Sequence, residues 1–542
     1  MMIKITKNLR VFTIFFVFVF LILTACTPKE KLQFGDLDVF RYNEHKNINS
    51  LDPAFAKDLA DIWGVHQLFN GLVQMDSLLQ VQPAIAKSWV IGDSAKVYTF
   101  HLRSDVYFHQ HPAFGKDSTR LVNALDFEYS FKRLLDPKLA SPGSWVLQKV
   151  KSITAVSNRV LRIELEQPFP AFLGLLTMKY CSVVPREVVE LYGSEFRSNP
   201  IGTGPFKFKR WEENIKLVFR KNHRYFERDE NNVQLPYLES IAITFLPDKQ
   251  SEFLQFAQGN IDFVSGLDAS YKDEILNEIG ELKESYENSV SMIRGPYLNT
   301  EYLSFYMDSE LPEIQSLKLR KAIAIGFDRE RMITFLRNGI GIPADGGFIP
   351  KGLPGYRKSS CFEYNPELAQ QLIAEFKRET GLTDPGIVLT TTSNYLSFCE
   401  FIQREIEKIG LDLEIEILPA SSLKDAKANG KLPFFRASWV ADYPDAENYL
   451  SLFYSPNFAP EGPNYSHFSD SEFDRLYEQS YLLSDSNDRK SLYSKMDSLA
   501  MKMYPVVPLF YDEVVRFTQK GVSGLGINPI NLLELKAVRK SP

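Results

Sequence analysis

The stretch Val97-Tyr98-Thr99-Phe100-His101-Leu102 places Tyr98, Phe100 and Leu102 on one face and smaller or more polar residues on the other. This period of two predicts a half-buried β-strand, and Arg162–Leu165 and Ile241–Phe245 repeat it. Elsewhere apolar residues recur at helical spacing, which predicts helices at Ala124–Leu135, Leu317–Phe327, Pro366–Lys377 and Phe398–Gly410. Strands that alternate with helices, without any fixed-period repeat, predict an α/β protein.

Two of these helices carry recognisable ends. Asn365-Pro366 predicts an N-cap followed by proline at the first helical position, and Gly410 predicts a helix end. The chain has 542 residues, whereas one hydrophobic core usually stops growing at about 250–300 residues. We therefore expect at least two lobes, and the lack of an obvious linker predicts that the chain crosses between them more than once.

Composition excludes one large class of function. Hydrophobic residues make up 44% and charged residues 24%, as in ordinary globular proteins. The net charge is −6 and the pI is near 5.8. Nucleic-acid binding usually needs a basic surplus, so no nucleic-acid partner is expected.

The N-terminus predicts export. Lys4, Lys7 and Arg10 precede an apolar run from Val11 to Ala25, which is shorter than the ~20 residues that span a membrane and fits a signal peptide. The run ends in Leu23-Thr24-Ala25-Cys26, which resembles the lipobox of bacterial lipoproteins, where cleavage precedes a lipidated cysteine. Residues 1–25 are thus predicted to be removed, Cys26 to carry the lipid, and residues 26–35 to tether an extracytoplasmic body to the membrane. An ordinary secreted precursor or a short anchor helix is the alternative.

Cysteines and catalytic motifs are sparse. After Cys26 only Cys181, Cys361 and Cys399 remain, so at most one disulfide can form within the chain. The sequence contains no GxSxG, Walker A, HExxH, GxGxxG or CxxC motif. We therefore expect no catalytic residues, no cofactor and no metal site, and hence a protein that is not an enzyme.

Two polar groups have a plainer interpretation than catalysis. His109 and His111 could help to bind a transition metal, but they are predicted to be solvated imidazoles at a strand edge or in a loop. Asp442, Asp445 and Glu447 flank a proline. Such carboxylates are predicted to cap a helix or to be solvated. For Asp442 a family resemblance implies a further role in binding a ligand.

Nine segments together resemble a known family. They are Ser50-Leu51-Asp52-Pro53, Leu68-Phe69-Asn70-Gly71-Leu72, Pro83-Ala84-Ile85-Ala86-Lys87-Ser88-Trp89, Tyr98–Arg103, Asp126–Arg133, Gly202-Thr203-Gly204-Pro205-Phe206, Asn222-His223-Arg224-Tyr225-Phe226, Leu319–Ile323 and Ala437-Ser438-Trp439-Val440-Ala441-Asp442-Tyr443. Their order and spacing resemble the extracytoplasmic solute-binding proteins of the peptide/nickel class (family 5) that serve ABC importers, especially the oligopeptide-binding proteins.

The resemblance implies a bilobal fold, the large three-domain variant of the type II periplasmic-binding-protein fold, with the ligand enclosed between lobes that close about a hinge. Domain I would comprise residues 36–69, 186–297 and 513–542, and domain II residues 70–185; together they form lobe 1. Domain III, residues 298–512, would form lobe 2. The resemblance also implies a monomer whose partner is an ABC transporter permease.

The resemblance places the ligand site on one strand and the residues after it. The expected ligand-binding residues are Ala437, Ser438, Trp439, Val440, Asp442 and Tyr443, with Asp442 pairing with the α-amino group of a peptide. The loops Phe55–Leu59 and Thr391–Tyr395 are further cleft candidates. Gly202-Thr203-Gly204-Pro205 is expected to be a tight turn in which glycine permits positive φ, and Trp89, Phe100 and Phe206 are expected in the core.

The sequence departs from the family pattern in three places. Some relatives join the positions of Asn299 and Val440 by a disulfide, and here both cysteines are absent together. The segment His109–Val122 is longer than the usual short turn. Phe55–Leu59 has Lys57 where some relatives have a carboxylate, so a side-chain preference cannot be transferred.

Physical chemistry favours a peptide ligand. A receptor for many peptides must bind what they share, and a strand edge supplies main-chain hydrogen bonds without selecting side chains. A fixed carboxylate such as Asp442 can receive the α-ammonium, and bridging waters let varied side chains fit. A non-peptide solute such as a metal chelate or a sugar remains an alternative on the same fold. A secreted hydrolase, or a family member acting as a sensor or chaperone, is a further one.

Overall fold

The computed structural model describes residues 38–93, 95–483 and 486–541. The predicted signal peptide, Cys26 and the tether lie outside the described residues. Within those ranges no helix is long and apolar enough to cross a membrane.

The strands are numbered in chain order. They are β1 Val39–Asn43, β2 Val73–Met75, β3 Val81–Pro83, β4 Ala86–Gly92, β5 Val97–Leu102, β6 Val150–Ser157, β7 Val160–Leu165, β8 Phe206–Glu212, β9 Lys216–Lys221, β10 Ser240–Thr244, β11 Phe263–Ser265, β12 Val290–Phe305, β13 Ile342–Pro343, β14 Gly386–Thr391, β15 Asp412–Ile417, β16 Phe434–Val440, β17 Val506–Gln519, β18 Val522–Ser523 and β19 Arg539–Lys540.

The helices of nine residues or more lie on both sides of the chain's midpoint. They are Leu59–Leu68, Ala124–Leu134, Lys249–Ala257, Leu317–Ile325, Arg329–Arg337, Pro366–Thr380, Leu396–Lys408, Ala420–Ala428, Ser471–Leu482 and Ser486–Met503. Shorter α-helices are Phe172–Leu175, Arg186–Tyr192, Lys272–Ile275, Glu284–Glu287, Pro312–Gln315 and Glu447–Leu450. The predicted strands and helices are confirmed within a few residues at each end. Asn365 caps its helix by accepting a hydrogen bond from the Leu368 backbone N–H at 2.9 Å.

One large sheet runs through the whole molecule. Its strand order is β15-β14-β16-β12-β17-β11-β1-β10-β9-β8, with β13 beside β17. The long strands β12 and β17 pair along Val290–Pro296 and again along Thr300–Ser304, with a register shift between Pro296 and Thr300. Because these two strands continue through the shift, they connect the two ends of the sheet, which supports the expectation that the chain crosses between the lobes more than once.

Separate hydrophobic cores lie on either side of this crossing. One core is built from buried residues between Leu298 and Phe510. Three further cores lie between the sheet β4-β5-β7-β6 and helix Ala124–Leu134, around β1, β9 and β10, and beside helix Lys249–Ala257. Phe100 and Phe206 are fully buried. We propose that the first core belongs to domain III (lobe 2) and the other three to domains I and II (lobe 1), divided at the bounds that the resemblance implies.

The Gly202-Thr203-Gly204-Pro205 turn corrects one expectation. Neither glycine adopts positive φ. Glycine is required there for a different reason: a Cβ on Gly202 would lie 2.1 Å from the Leu68 carbonyl oxygen, and one on Gly204 would lie 2.4 Å from the Leu68 carbonyl carbon. The turn packs directly against the end of helix Leu59–Leu68, where no side chain fits.

The side chain of His109 holds the Gly202–Pro205 turn in place, contrary to the prediction that His109 is solvated. The imidazole is buried, its Nε2 donates to the Gly204 carbonyl at 3.0 Å, and its Nδ1 accepts from the Gly202 N–H at 3.3 Å. Burial lowers the pKa of His109 to about 4. His111 bonds to the Tyr192 hydroxyl at 3.1 Å. The prediction of two solvated imidazoles is therefore wrong for His109, which is a structural core residue.

Candidate ligand-binding site

Strand β16 has one edge that is paired at a single residue only. It pairs with β12 along its whole length, from Phe434 opposite Phe305 to Val440 opposite Asn299. On its other side only Phe435 pairs, with Thr390 of β14. Within the described part of the chain, the outer edge of Ala437–Val440 is thus left open to another strand.

The pairing pattern identifies the backbone groups at this open edge. The Ala441 N–H donates to the Leu298 carbonyl at 2.8 Å, which marks a hydrogen-bonded pair. Such pairs alternate along an antiparallel ladder, so Ala437 and Trp439 also bond toward β12. Ser438 and Val440 therefore direct their N–H and C=O groups outward. Ala437 is buried, Ser438 and Trp439 are half-buried, and Val440 is 39% exposed.

Asn299 and Val440 lie directly opposite each other on β12 and β16. These are the positions that some relatives join by a disulfide. The ladder forms here without the covalent bond, and the Asn299 side chain instead donates to Glu301 Oε1 at 2.9 Å. Cys181, Cys361 and Cys399 are all free thiols.

Asp442 follows the open strand edge and is held by Asn448. The Asp442 backbone N–H donates to Asn448 Oδ1 at 3.2 Å, and Asn448 Nδ2 donates to Asp442 Oδ2 at 3.4 Å. The residue is exposed to solvent, yet enclosure by the surrounding protein raises the pKa of its carboxyl, which the hydrogen bond from Asn448 lowers in part. Solvent access combined with enclosure describes a carboxylate that lines a cleft.

Tyr180, in the segment proposed as lobe 1, lies close enough to Asp442 to be affected by its charge. Burial and the charges of Asp442 and Asp58 raise the pKa of Tyr180 to about 12. Asp442 belongs to lobe 2, whereas Asp58 lies in the predicted Phe55–Leu59 loop and is exposed. The loop therefore supplies a carboxylate one residue after Lys57, which sequence reasoning missed because it compared single positions.

Tyr443 differs from the other predicted site residues because it is buried, with 6% exposure. Its ring lies 6.4 Å from that of Phe169 in an edge-to-face arrangement. A Cβ on Gly174 would lie 3.6 Å from the Tyr443 Cβ. Phe169 and Gly174 both belong to lobe 1, so Tyr443 forms a contact between the lobes beside Asp442.

Glu447 corrects the expectation of a solvated or helix-capping carboxylate. It is buried and accepts hydrogen bonds from the hydroxyl groups of Tyr443, Tyr477 and Tyr481. Asp445 precedes the N-cap residue Ala446; its side chain accepts from the Glu447 N–H at 3.0 Å and pairs with Arg489 at 3.4 Å. The hydroxyl groups of three tyrosines thus satisfy Glu447, and its negative charge also acts on a cation nearby.

That cation is Lys149 of lobe 1. Its ammonium lies 4.2 Å from the ring centres of both Phe169 and Tyr481. Burial lowers the pKa of Lys149, whereas the charge of Glu447 raises it. Because Phe169 is in lobe 1 and Tyr481 in lobe 2, this cation–π sandwich joins the lobes next to the Tyr443 contact.

Arg436 and Tyr395 form a second polar group beneath the open edge. The Arg436 guanidinium pairs with buried Glu301 and lies 3.1 Å from the ring centre of Tyr395, which is in the predicted Thr391–Tyr395 loop. Arg436 is 8% exposed, and its Nε has no hydrogen-bond partner within the described ranges. Sequence reasoning missed Arg436, although a lone charge within the apolar stretch Phe434–Val440 was a signal that could have found it.

No group of three or more His, Cys, Asp or Glu residues within 38–93, 95–483 and 486–541 has an arrangement that could hold a metal ion. His109 and His111 lie at the Gly202–Pro205 turn and at Tyr192, away from Asp442. The polar groups at the open edge are thus a strand backbone, carboxylates and a guanidinium. These groups recognise amides and ammonium ions by hydrogen bonding and charge.

Two lobes joined by crossing strands, with an open strand edge and a carboxylate in the cleft between them, define a two-lobed ligand-binding protein of the periplasmic-binding type. The family described as "Bacterial extracellular solute-binding proteins, family 5 Middle" matches residues 80–460. The chain belongs to this family. The α/β, bilobal fold class expected from the sequence is thereby confirmed, and the family consists of binding proteins rather than enzymes.

Relatives cover nearly the whole chain. The periplasmic oligopeptide-binding protein OppA of Salmonella typhimurium is 25% identical over 547 residues, covering 95% of this chain and 94% of that protein. Heme-binding protein A of Haemophilus influenzae is 26% identical over 466 residues, covering 82% and 81%. The structure of the ABC transporter-associated periplasmic binding protein DppA from Helicobacter pylori, in complex with the peptide STSA, matches with a TM-score of 0.77 at 25% identity, covering 93% of this chain and 98% of that one.

Proposed function

We propose that this protein is a lipid-anchored receptor that captures peptides by their backbone and α-amino group and delivers them to an ABC transporter permease. The observation that carries the proposal is the open outer edge of β16, followed two residues after its end by the exposed carboxylate of Asp442. The strand edge and the carboxylate together match the two features that every free peptide presents at its amino end.

The open edge accounts for binding that ignores side chains. The N–H and C=O groups of Ser438 and Val440 would pair with an extended peptide as β-strand addition does. A typical hydrogen bond of this kind contributes about 0.5–1.5 kcal/mol net. Ala437 and Trp439 would hold the strand in place by pairing with β12, and Tyr443 would act through the contact between the lobes.

Asp442 accounts for the anchoring of the amino terminus. Enclosure raises the pKa of its carboxyl, and no charged group of the described residues is among the causes that lower it. A peptide α-ammonium would supply such a group by a charge-assisted hydrogen bond, which is about twice as strong as a neutral one. Lobe closure would then remove water from the pair, and the ammonium would be costly to leave unpaired.

A non-peptide solute is the second candidate, and the similarity to a heme-binding protein favours keeping it. The ion pair between Arg436 and Glu301 is compatible with either ligand, because it offers a positive and a negative group that any polar solute can contact. The open edge of β16 favours the peptide, since a ring-shaped or rigid solute would leave the outward N–H and C=O groups of Ser438 and Val440 unpaired.

The remaining parts of the proposal concern location and partners. Cys26 would carry the lipid, two or more acyl chains being needed for stable anchoring. The extracytoplasmic body would act as a monomer that hands its ligand to the permease subunits.

The test is incubation of the protein with a defined mixture of free peptides, followed by mass spectrometry of the bound and unbound fractions. We expect peptides to be retained by the protein and recovered with unchanged masses. Cleaved products would contradict a binding protein and favour a secreted hydrolase. Retention of none of the peptides would contradict the peptide assignment.

A further inference from the structure

Asn448 makes three hydrogen bonds that join the strand edge to the carboxylate. It lies in the short helix Glu447–Leu450 and is 4% exposed. Its Oδ1 accepts from Trp439 Nε1 at 2.9 Å and from the Asp442 N–H at 3.2 Å, and its Nδ2 donates to Asp442 Oδ2 at 3.4 Å.

We infer that Asn448 is the positioning residue of the amino-terminal anchor, setting both the orientation and the ionised state of Asp442 relative to the edge of β16. The inference rests on the proposed function, and it adds a residue to which neither the family nor the sequence pattern assigned a role.

The geometry fixes the orientation of the amide. Two donors, the Trp439 indole and the Asp442 backbone N–H, converge on one oxygen. A flipped amide would place an NH₂ group against both donors, so the oxygen must face them. The NH₂ group therefore faces the Asp442 carboxylate, and the indole of Trp439, the second-last residue of β16, connects this arrangement to the strand.

The groups around Asp442 explain why the Asn448 amide donor affects its carboxylate. The other titratable side chains that influence or feel the carboxylate are Tyr180 of lobe 1 and Tyr449 of lobe 2. The Tyr449 hydroxyl donates to the Leu298 carbonyl at 2.7 Å and is thus committed elsewhere. A neutral tyrosine brings no positive charge to the site. Among the described side chains, the Asn448 amide is therefore the group that favours the charged form of Asp442 before a ligand arrives.

The role predicts a specific pH dependence. A free peptide needs the Asp442 carboxylate ionised, so its affinity falls as the pH drops through the pKa of that group. Removing the Asn448 donor raises this pKa, and the loss of affinity moves to higher pH. Each unit by which the pKa of Asp442 rises weakens free-peptide binding about tenfold, at any pH below the pKa values of both wild type and variant.

The experiment is calorimetric titration of the full-length protein in detergent between pH 4.5 and 8, with one tetrapeptide in free and N-acetylated forms. Asn448→Leu removes all three hydrogen bonds. Asn448→Asp keeps the acceptor for Trp439 and for the Asp442 N–H, but it replaces the donor by a second carboxylate. Asn457→Leu is the matched control, since Asn457 is a half-buried amide of the same lobe that donates to the Ser451 carbonyl at 3.0 Å.

We expect the pH midpoint for the free peptide to rise in the order wild type, Asn448→Leu, Asn448→Asp, because a like charge raises the pKa of Asp442 further. Binding of the acetylated peptide and the behaviour of Asn457→Leu should match wild type. An unchanged midpoint in both Asn448 variants, or equal losses for both peptides, would overturn the inference and leave Asn448 as a structural residue. A wild type that does not distinguish the two peptides would instead overturn the α-amino anchor of the proposed function, and the inference with it.

Discussion

Asp442→Asn is the substitution that bears most directly on the anchor. The change keeps the size of the side chain and removes its charge, so the α-ammonium of a bound peptide would lose its ion-pair partner. Breaking a buried pair costs about 3–5 kcal/mol. Asp442 is exposed in this structure, so we expect the lower end of this range, roughly 100-fold in the dissociation constant.

The assay compares four combinations of protein and peptide by calorimetry at pH 7. We expect the free tetrapeptide to bind wild type about 100-fold more tightly than Asp442→Asn. The N-acetylated peptide brings no ammonium, so it should bind wild type weakly and lose little more in the variant. Asp425→Asn, which removes an exposed carboxylate on helix Ala420–Ala428 of the same lobe, is the control and should change neither affinity.

The two readings of Asp442 separate clearly in this assay. If Asp442 only stabilises the turn before helix Glu447–Leu450, the substitution would lower thermal stability and weaken both peptides alike. Equal losses for free and acetylated peptides would therefore refute the assignment of the α-amino anchor to Asp442.

Three further predictions follow from the same geometry. Ser438→Pro removes an outward N–H from the open edge of β16, where proline is tolerated, and should weaken the binding of free and acetylated peptides alike by about 0.5–1.5 kcal/mol. The control Ser438→Ala keeps the N–H and should bind both peptides as wild type does. Full affinity of Ser438→Pro in calorimetry would argue against strand addition. Lys149→Met removes the cation that lies between the rings of Phe169 and Tyr481, so both peptides should bind about two- to fivefold less tightly for a loss of about 0.5–1 kcal/mol. Small-angle scattering of the saturated variant should still show the compaction that ligand produces in wild type. An unchanged radius of gyration on saturation of wild type would contradict closure of the lobes. Cys26→Ala should abolish acylation and release the protein or leave it as precursor, and a variant that is still acylated and membrane-bound in cell fractionation would contradict the lipobox assignment.

Local structure was largely predictable from the sequence. The strand Val97–Leu102 and the N-cap at Asn365 depend on alternation and on a side chain next to its own helix. The resemblance implied a strand at Ala437–Val440 and proximity of Asn299 to Val440, and the register of β16 against β12 places these two residues opposite each other.

Features that join distant segments were not predictable. Glu447 is buried because Tyr477 and Tyr481, which lie on helix Ser471–Leu482, direct their hydroxyl groups toward it. His109 is buried because the Gly202–Gly204 turn returns to it in space. A pattern within one segment carries no information on such partners, so these polar residues were read as solvated.

Arg436 and Asn448 show the same limit within the site itself. The charge of Arg436 is compatible with a buried strand only because Glu301 of β12 lies beside it. Asn448 acquires its role only because Trp439 and Asp442 both turn toward its side chain. Pairing across strands and turns, rather than sequence motif, determines these contacts.

The identity of the ligand tests the central claim most directly. The protein should be purified under native conditions from the cell that makes it, denatured, and the released small molecules identified by mass spectrometry. We expect short peptides with free amino termini, held by wild type and largely missing from Asp442→Asn. Release of a single non-peptide solute, in equal amounts from both proteins, would contradict peptide capture through the edge of β16 and Asp442.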